Sequence, residues 1–189
     1  RLLEQRLVDY HFQPIVEVST GRIFAYEALM RPRTPELSSP LAVLELARQE
    51  GKLRAVETLT WHTAMGAFAA HCRAGHVPEG CRVFINSLSN QAMLPEDTAR
   101  FHREYRGYLS RVDQDDDKRQ LVENLVSYAH VRGIALVGEG VETRAELEAL
   151  AALGVDYVQG YFLARPALLP PPVTPEGAEC LRALRGEMD

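Results

Sequence analysis

Residues 134–166, IALVGEGVETRAELEALAALGVDYVQGYFLARP, read as strand, helix, strand. An apolar run ends in Glu139 before a glycine. Apolar residues then recur at helical spacing until Gly154, and a second β-rich run follows. Thr143 stands three residues before Glu146, the spacing at which the two side chains satisfy each other's unpaired backbone donors at a helix start. A strand–helix–strand order is that of a parallel α/β protein. In such proteins the side chains at the carboxyl ends of strands face the crevice where ligands bind, so a carboxylate at Glu139 is a candidate for chemistry.

Working outward, the same alternation recurs. QLVENLVSYAHVRG is a helix that stops at Gly133. Near the start, FQPIVEV (12–18) and RIFAYEALM (22–30) are β-rich and separated by Ser19, Thr20 and Gly21, which predicts an antiparallel hairpin. The second of these runs carries another strand-end carboxylate, Glu27, with Arg31 four residues on. Pro40 opens a helix that stops at Gly51, and a longer helix covers 54–75. CRVFINSLS is expected as a buried strand, and DTARFHREYRGYLSR as a helix behind Pro95. After Arg165, PALLPPPVTPEG is expected to run extended into a last short helix at 178–185. No repeat or low-complexity tract interrupts this order.

The chain has 189 residues, 46% hydrophobic and 25% charged, which suits one soluble domain. Its apolar runs are too short for a bilayer span, and no leader-like segment opens it, so the expected location is the cytoplasm. A net charge of −5 gives no general attraction to nucleic acid. Three cysteines without a CxxC fit a reducing compartment. The sequence begins at Arg1 without a methionine and reads as a fragment or processed form.

The succession YEALMRP after FQPIV, then FINSLSNQ, VGEGVET and VQGYFLARP, resembles the EAL domain of bacterial cyclic di-GMP phosphodiesterases, over nearly all of residues 10–166. The resemblance implies a TIM-like (β/α)₈ barrel with one antiparallel strand, and two divalent cations, Mg²⁺ or Mn²⁺, at the strand carboxyl ends. The activity it implies is hydrolysis of cyclic di-GMP to linear pGpG. It makes Glu27, Asn86 and Glu139 metal ligands, with Glu27 and Glu139 catalytic, and Arg31, Gln159 and Gln13 substrate-binding. Carboxylate and amide oxygens suit a hard cation that keeps its waters, and a guanidinium fork suits a phosphate. Glu142 and Thr143 are expected to order the loop and cap the helix. The resemblance also implies a homodimer behind an N-terminal sensory or regulatory domain, with one EAL-like domain over 1–189, core 10–166 and C-terminal extension 167–189.

Three further strands expected after FINS, carrying an acidic ExxE, an Asp-Asp-Phe-Gly and a lysine before Ile-Asp, are missing. The join falls at 111–113, and the barrel is incomplete at five strands. Either the strands are deleted, leaving open sheet edges, or the residues exist in the molecule outside the sequence in hand; barrel closure favours the second. A true deletion leaves too few ligands for two metals and predicts no hydrolysis, only weak nucleotide binding. The alternative function is therefore a non-catalytic EAL-like module that binds cyclic di-GMP or a partner protein.

Plainer readings stand beside these. Glu27 and Glu139 alone would also suit a barrel glycosidase, which leaves Arg31 and Asn86 without a role. Arg31 could pair with Glu36, and Asn86 could be a turn former. His71, Cys72, His76 and Cys81 match no standard zinc spacing. Asp113, Asp115 and Asp117 mimic a calcium loop but lack its glycine and final glutamate, and a helix N-terminus explains them better. Trp61, Met65 and Phe68 follow helical spacing and are expected in the core.

Overall fold

A computed structural model describes residues 2–37, 39–86 and 112–187; the predicted helix behind Pro95 lies outside them. The described residues hold five strands and five helices. They are β1 (Val8–Glu17), β2 (Ile23–Pro32), α1 (Pro40–Gln49), α2 (Leu53–Arg73), β3 (Arg82–Ile85), α3 (Asp116–Val131), β4 (Val137–Glu139), α4 (Arg144–Ala152), β5 (Tyr157–Gln159) and α5 (Pro175–Leu184). None of the described helices is long and apolar enough to cross a membrane.

The chain divides into two compact units. One comprises Arg1–Gln13, Ala25–Asn90 and Pro166–Pro171; the other Pro14–Phe24, Gln91–Arg165 and Pro172–Asp189. The β1–β2 hairpin passes through both. It is antiparallel as predicted: the Arg33 amide donates to Leu7 at one end and the Glu17 amide to Arg22 at the other.

In the first unit β3 pairs parallel with β2, setting Glu27 opposite Phe84 and Ala28 opposite Ile85. Phe12 and Ala167 exchange both backbone bonds, and Phe68 of α2 packs on the Phe12 and Tyr26 rings. The Tyr26 hydroxyl donates to the Pro171 carbonyl at 2.9 Å, and burial pushes its pKa up to about 12. Val43, Ala47 and Val56 form a smaller cluster under α1.

In the second unit β4 and β5 are parallel, and β5 pairs antiparallel with the end of β1 through Val16 and Val158. Val122 and Val126 of α3, Leu147 and Leu150 of α4, and Cys180 and Leu181 of α5 bury against these strands. Thr143 and Glu146 make the predicted reciprocal cap, with Glu146 accepting from the backbone of both Glu142 and Thr143. Asp115 caps α3, and Asp116 and Asp117 lie in its first turn, where the helix dipole favours negative charge.

All five described helices end alike. The residue after the cap is a glycine at positive φ (Gly51, Gly75, Gly133, Gly154, Gly186), and the next residue donates its amide to the carbonyl five back. This Schellman closure satisfies orphan carbonyls and brings the side chains of those two residues together.

Several expectations need correction. β3 is alternately exposed and half-buried rather than buried, because among the described residues β2 is its only sheet partner. Trp61 and Met65 are 46% and 48% exposed; α2 buries Val56, Thr60, Ala64 and Phe68, whose small central members allow close approach, and helical spacing alone does not say which stripe faces in. The strands in IALVGEG and VDYVQGYFLARP shrink to three residues each, and the last helix starts at Pro175, which takes the first helical position behind the Thr174 cap. The sequence in hand has no counterpart of the three further strands.

Candidate functional site

Glu27 sits mid-strand in β2, half-buried, between Tyr26 and Ala28, which point to the opposite, fully buried face. The alternation that buries Tyr26 is what aims Glu27 the other way. Parallel pairing brings Asn86, the residue just after β3, beside it, and the Asn86 Nδ2 donates to the Glu27 Oε1 at 2.9 Å. These two predicted ligands, 59 residues apart in sequence, thus meet in the first unit. As placed, the amide nitrogen faces the carboxylate. Turning the amide over would present Oδ1 alongside Glu27, as a shared hard cation needs.

Arg31 lies four residues along the same strand, on the same side, but its Nη1 donates to the Met30 carbonyl at 2.9 Å. Its fork is held against its own backbone and has to turn to meet a phosphate. Gln13, at the end of the first unit's share of β1, is buried at 6% exposure.

In the second unit Glu139 and Gln159 are direct neighbours across the parallel β4–β5 pair; Glu139 is exposed and Gln159 buried. The backbone explains the placement. The Val141 amide donates to the Gln159 carbonyl, and the Phe162 amide donates to the Val141 carbonyl, so the loop after Glu139 is laid on the loop after Gln159. A Cβ on Gly160 would collide with the Val141 backbone, so glycine alone allows that approach. The Val141–Gly160 contact was not singled out in the sequence, although the GEG and QGY spacing carries it. Tyr26, as the anchor behind Glu27, was missed as well; its signal was a polar-tipped aromatic inside an apolar strand.

The donor set does not fit two metals. Glu27 and Asn86 supply oxygens for part of one cation's shell, and among the described residues no three His, Cys, Asp or Glu side chains converge to hold a metal ion.

The EAL domain model matches residues 1–109 and 87–166, well over half of the sequence. The chain belongs to the EAL domain family. An uncharacterized Azorhizobium caulinodans protein is 25% identical over 231 positions, covering 84% of this chain and 31% of that protein. That alignment is longer than the chain itself, so this relative of the EAL chain carries residues with no counterpart here. The Pseudomonas aeruginosa bifunctional diguanylate cyclase/cyclic di-GMP phosphodiesterase MucR is 36% identical over 61 residues, 32% of the chain and 9% of MucR. The EAL chain spans less than a third of the length of the curated relatives it matches. Among solved structures, the PaMucR phosphodiesterase in complex with c-di-GMP is similar with a TM-score of 0.67 at 20% identity, covering 89% of this chain and 94% of that one. A standalone EAL protein from Vibrio cholerae O395, bound to c-di-GMP, gives 0.66 at 20%, covering 90% and 97%. These likenesses carry the fold: mixed α/β, of the EAL kind, with an incomplete set of barrel strands.

Proposed function

We propose that this chain is an EAL module that binds cyclic di-GMP without hydrolysing it. The observation that carries the reading is the thinned ligand set: the Glu27–Asn86 pair survives, while the strands that would bring ExxE, Asp-Asp-Phe-Gly and the lysine are absent. Hydrolysis by two metals needs enough negative ligands to hold both cations and to lower the pKa of a bridging water, and this chain supplies too few. Glu27 and Asn86 would hold one divalent cation, whose charge would draw a substrate phosphate. Solved EAL structures similar to the chain include manganese and calcium complexes with cyclic di-GMP, in keeping with a divalent ion at this fold.

In this reading Arg31 pairs with a phosphate once it leaves Met30, Gln159 and Gln13 contact the base or ribose, and Glu139 orders the ligand's surroundings as Gln159's neighbour. Family likeness extends the proposal to a cytoplasmic homodimer behind an N-terminal sensory or regulatory domain, with residues 1–189 as one EAL-like domain. Within it α5 of the extension is part of the second unit's core. The test is calorimetric titration of cyclic di-GMP into the full chain with Mg²⁺ or Mn²⁺, beside Glu27→Ala and Arg31→Ala. Saturable binding that weakens about tenfold or more in each variant is expected. Equal binding in all three proteins, or none in any, would overturn the site.

A further inference from the structure

The end of α2 carries a feature that the cyclic-dinucleotide reading leaves unused. In the Schellman closures of the other helices, Ala129 pairs with Ile134 and Leu150 with Val155, both apolar, Arg182 pairs with the oppositely charged Glu187, and Ala47 pairs with Lys52. In α2 the same geometry pairs two histidines. The His76 amide donates to the His71 carbonyl at 3.0 Å and the Gly75 amide to the Cys72 carbonyl at 3.1 Å, with Gly75 at φ +72°. The turn folds the imidazoles onto each other, and His71 Nδ1 and His76 Nδ1 lie 3.3 Å apart.

Three observations make this more than a packing accident. The separation is the bite of a tetrahedral site, since two imidazole nitrogens each about 2.0–2.1 Å from one Zn²⁺ stand roughly 3.3 Å from each other. His71 is also oriented from outside the pair. Its ring stands edge-on to the fully buried Phe12 at 5.5 Å and 81°, and it hydrogen bonds to the Leu168 backbone. An Nε2–H donated to that carbonyl would leave the lone pair on Nδ1, facing His76; a ligating histidine is typically fixed by such a backbone acceptor. Finally, burial first and His76 second push the His71 pKa below its ordinary value, which keeps the ring neutral and able to ligate near pH 7.

We propose that His71 and His76 form a bis-imidazole site for a borderline divalent transition cation such as Zn²⁺ or Cu²⁺. Imidazole nitrogen suits these ions, whereas the oxygen pair Glu27–Asn86 suits Mg²⁺ or Mn²⁺. The two sites lie at opposite ends of β3, since His76 precedes the strand and Asn86 follows it. Cys81 is not a third ligand: its thiol donates toward the Arg82 carbonyl, and burial raises its pKa. Among the described residues no third His, Cys, Asp or Glu completes the set, so water fills the other positions and the ion exchanges freely. His76 is exposed and His71 half-buried, which leaves the ion a route in.

The test is titration of the full chain with ZnCl₂ by calorimetry, and with CuCl₂ by electron paramagnetic resonance, for the wild type, His71→Ala, His76→Ala and a His62→Ala control. One equivalent of Zn²⁺ is expected in the wild type and the control, weakened at least about tenfold in each of the other two, with nitrogen hyperfine structure on Cu²⁺ lost in the same variants. His76 is on the surface, so His76→Ala keeps the fold, which circular dichroism checks. Zn²⁺ affinity unchanged in His76→Ala, or absent from the wild type, would mean that the pair is only an N–H···N hydrogen bond and would overturn the proposal.

Discussion

Gly160→Ala is the sharpest structural perturbation available. A Cβ at this position would overlap the amide nitrogen, carbonyl carbon and carbonyl oxygen of Val141, none of which can yield like the end of a flexible side chain. Val141 is pinned from both sides, by its amide to Gln159 and its carbonyl to Phe162. Relief therefore costs an overpacking strain of about 1–3 kcal/mol and up to two backbone hydrogen bonds of about 1 kcal/mol each. A loss of about 3 kcal/mol should lower Tm by about 6–12 °C for a chain of this length. The loop that moves follows Glu139 directly and lies on the Gln159 turn, so cyclic di-GMP binding should fall with it. Gly66→Ala is the matched control: it sits inside α2 with nothing within 4 Å of the added methyl, and should stabilise by about 0.5–1 kcal/mol. Urea denaturation of both variants reads the comparison. A Gly160→Ala protein within about 0.5 kcal/mol of wild type would refute the packing account of the Glu139–Gln159 pair.

Other consequences follow from single contacts. Tyr26→Phe removes the bond to Pro171 and should cost about 1 kcal/mol, read by denaturant midpoint. The same tyrosine's folded pKa of about 12 lies above its ordinary value of 10.0, so the folded state holds the phenolic proton longer than the unfolded one. Its stabilising contribution is full below pH 10 and is lost as pH rises from 10 towards 12; alkaline unfolding curves should show that fall in the wild type and less of it in Tyr26→Phe. Thr143→Ala breaks the cap of α4 and should cost about 1 kcal/mol in the same denaturation assay.

The local chemistry of helix ends and turns was legible in the sequence. Thr143 with Glu146, Asp115 ahead of α3, and the glycines at 51, 75, 133 and 154 each act through neighbours within a few residues, and each stands where spacing put it. The meeting of Glu27 with Asn86 was legible only as a motif order, because it depends on parallel pairing between residues 59 apart. Burial was read less well. Trp61 and Met65 form a true helical stripe, but which stripe packs inward depends on the sheet beneath, which prefers Thr60 and Ala64. The histidine pair shows the same divide: zinc spacing rules passed over HCRAGH, while the glycine that closes α2 is what folds His76 back on His71.

The account stands most directly on what becomes of the ligand. The full chain is incubated with labelled cyclic di-GMP and Mn²⁺, and both bound and free nucleotide are then recovered and separated by chromatography. The account predicts saturable retention of cyclic di-GMP recovered intact, with no pGpG above a protein-free control. Accumulation of pGpG that disappears in Glu27→Ala would contradict it and restore the chain to the hydrolases.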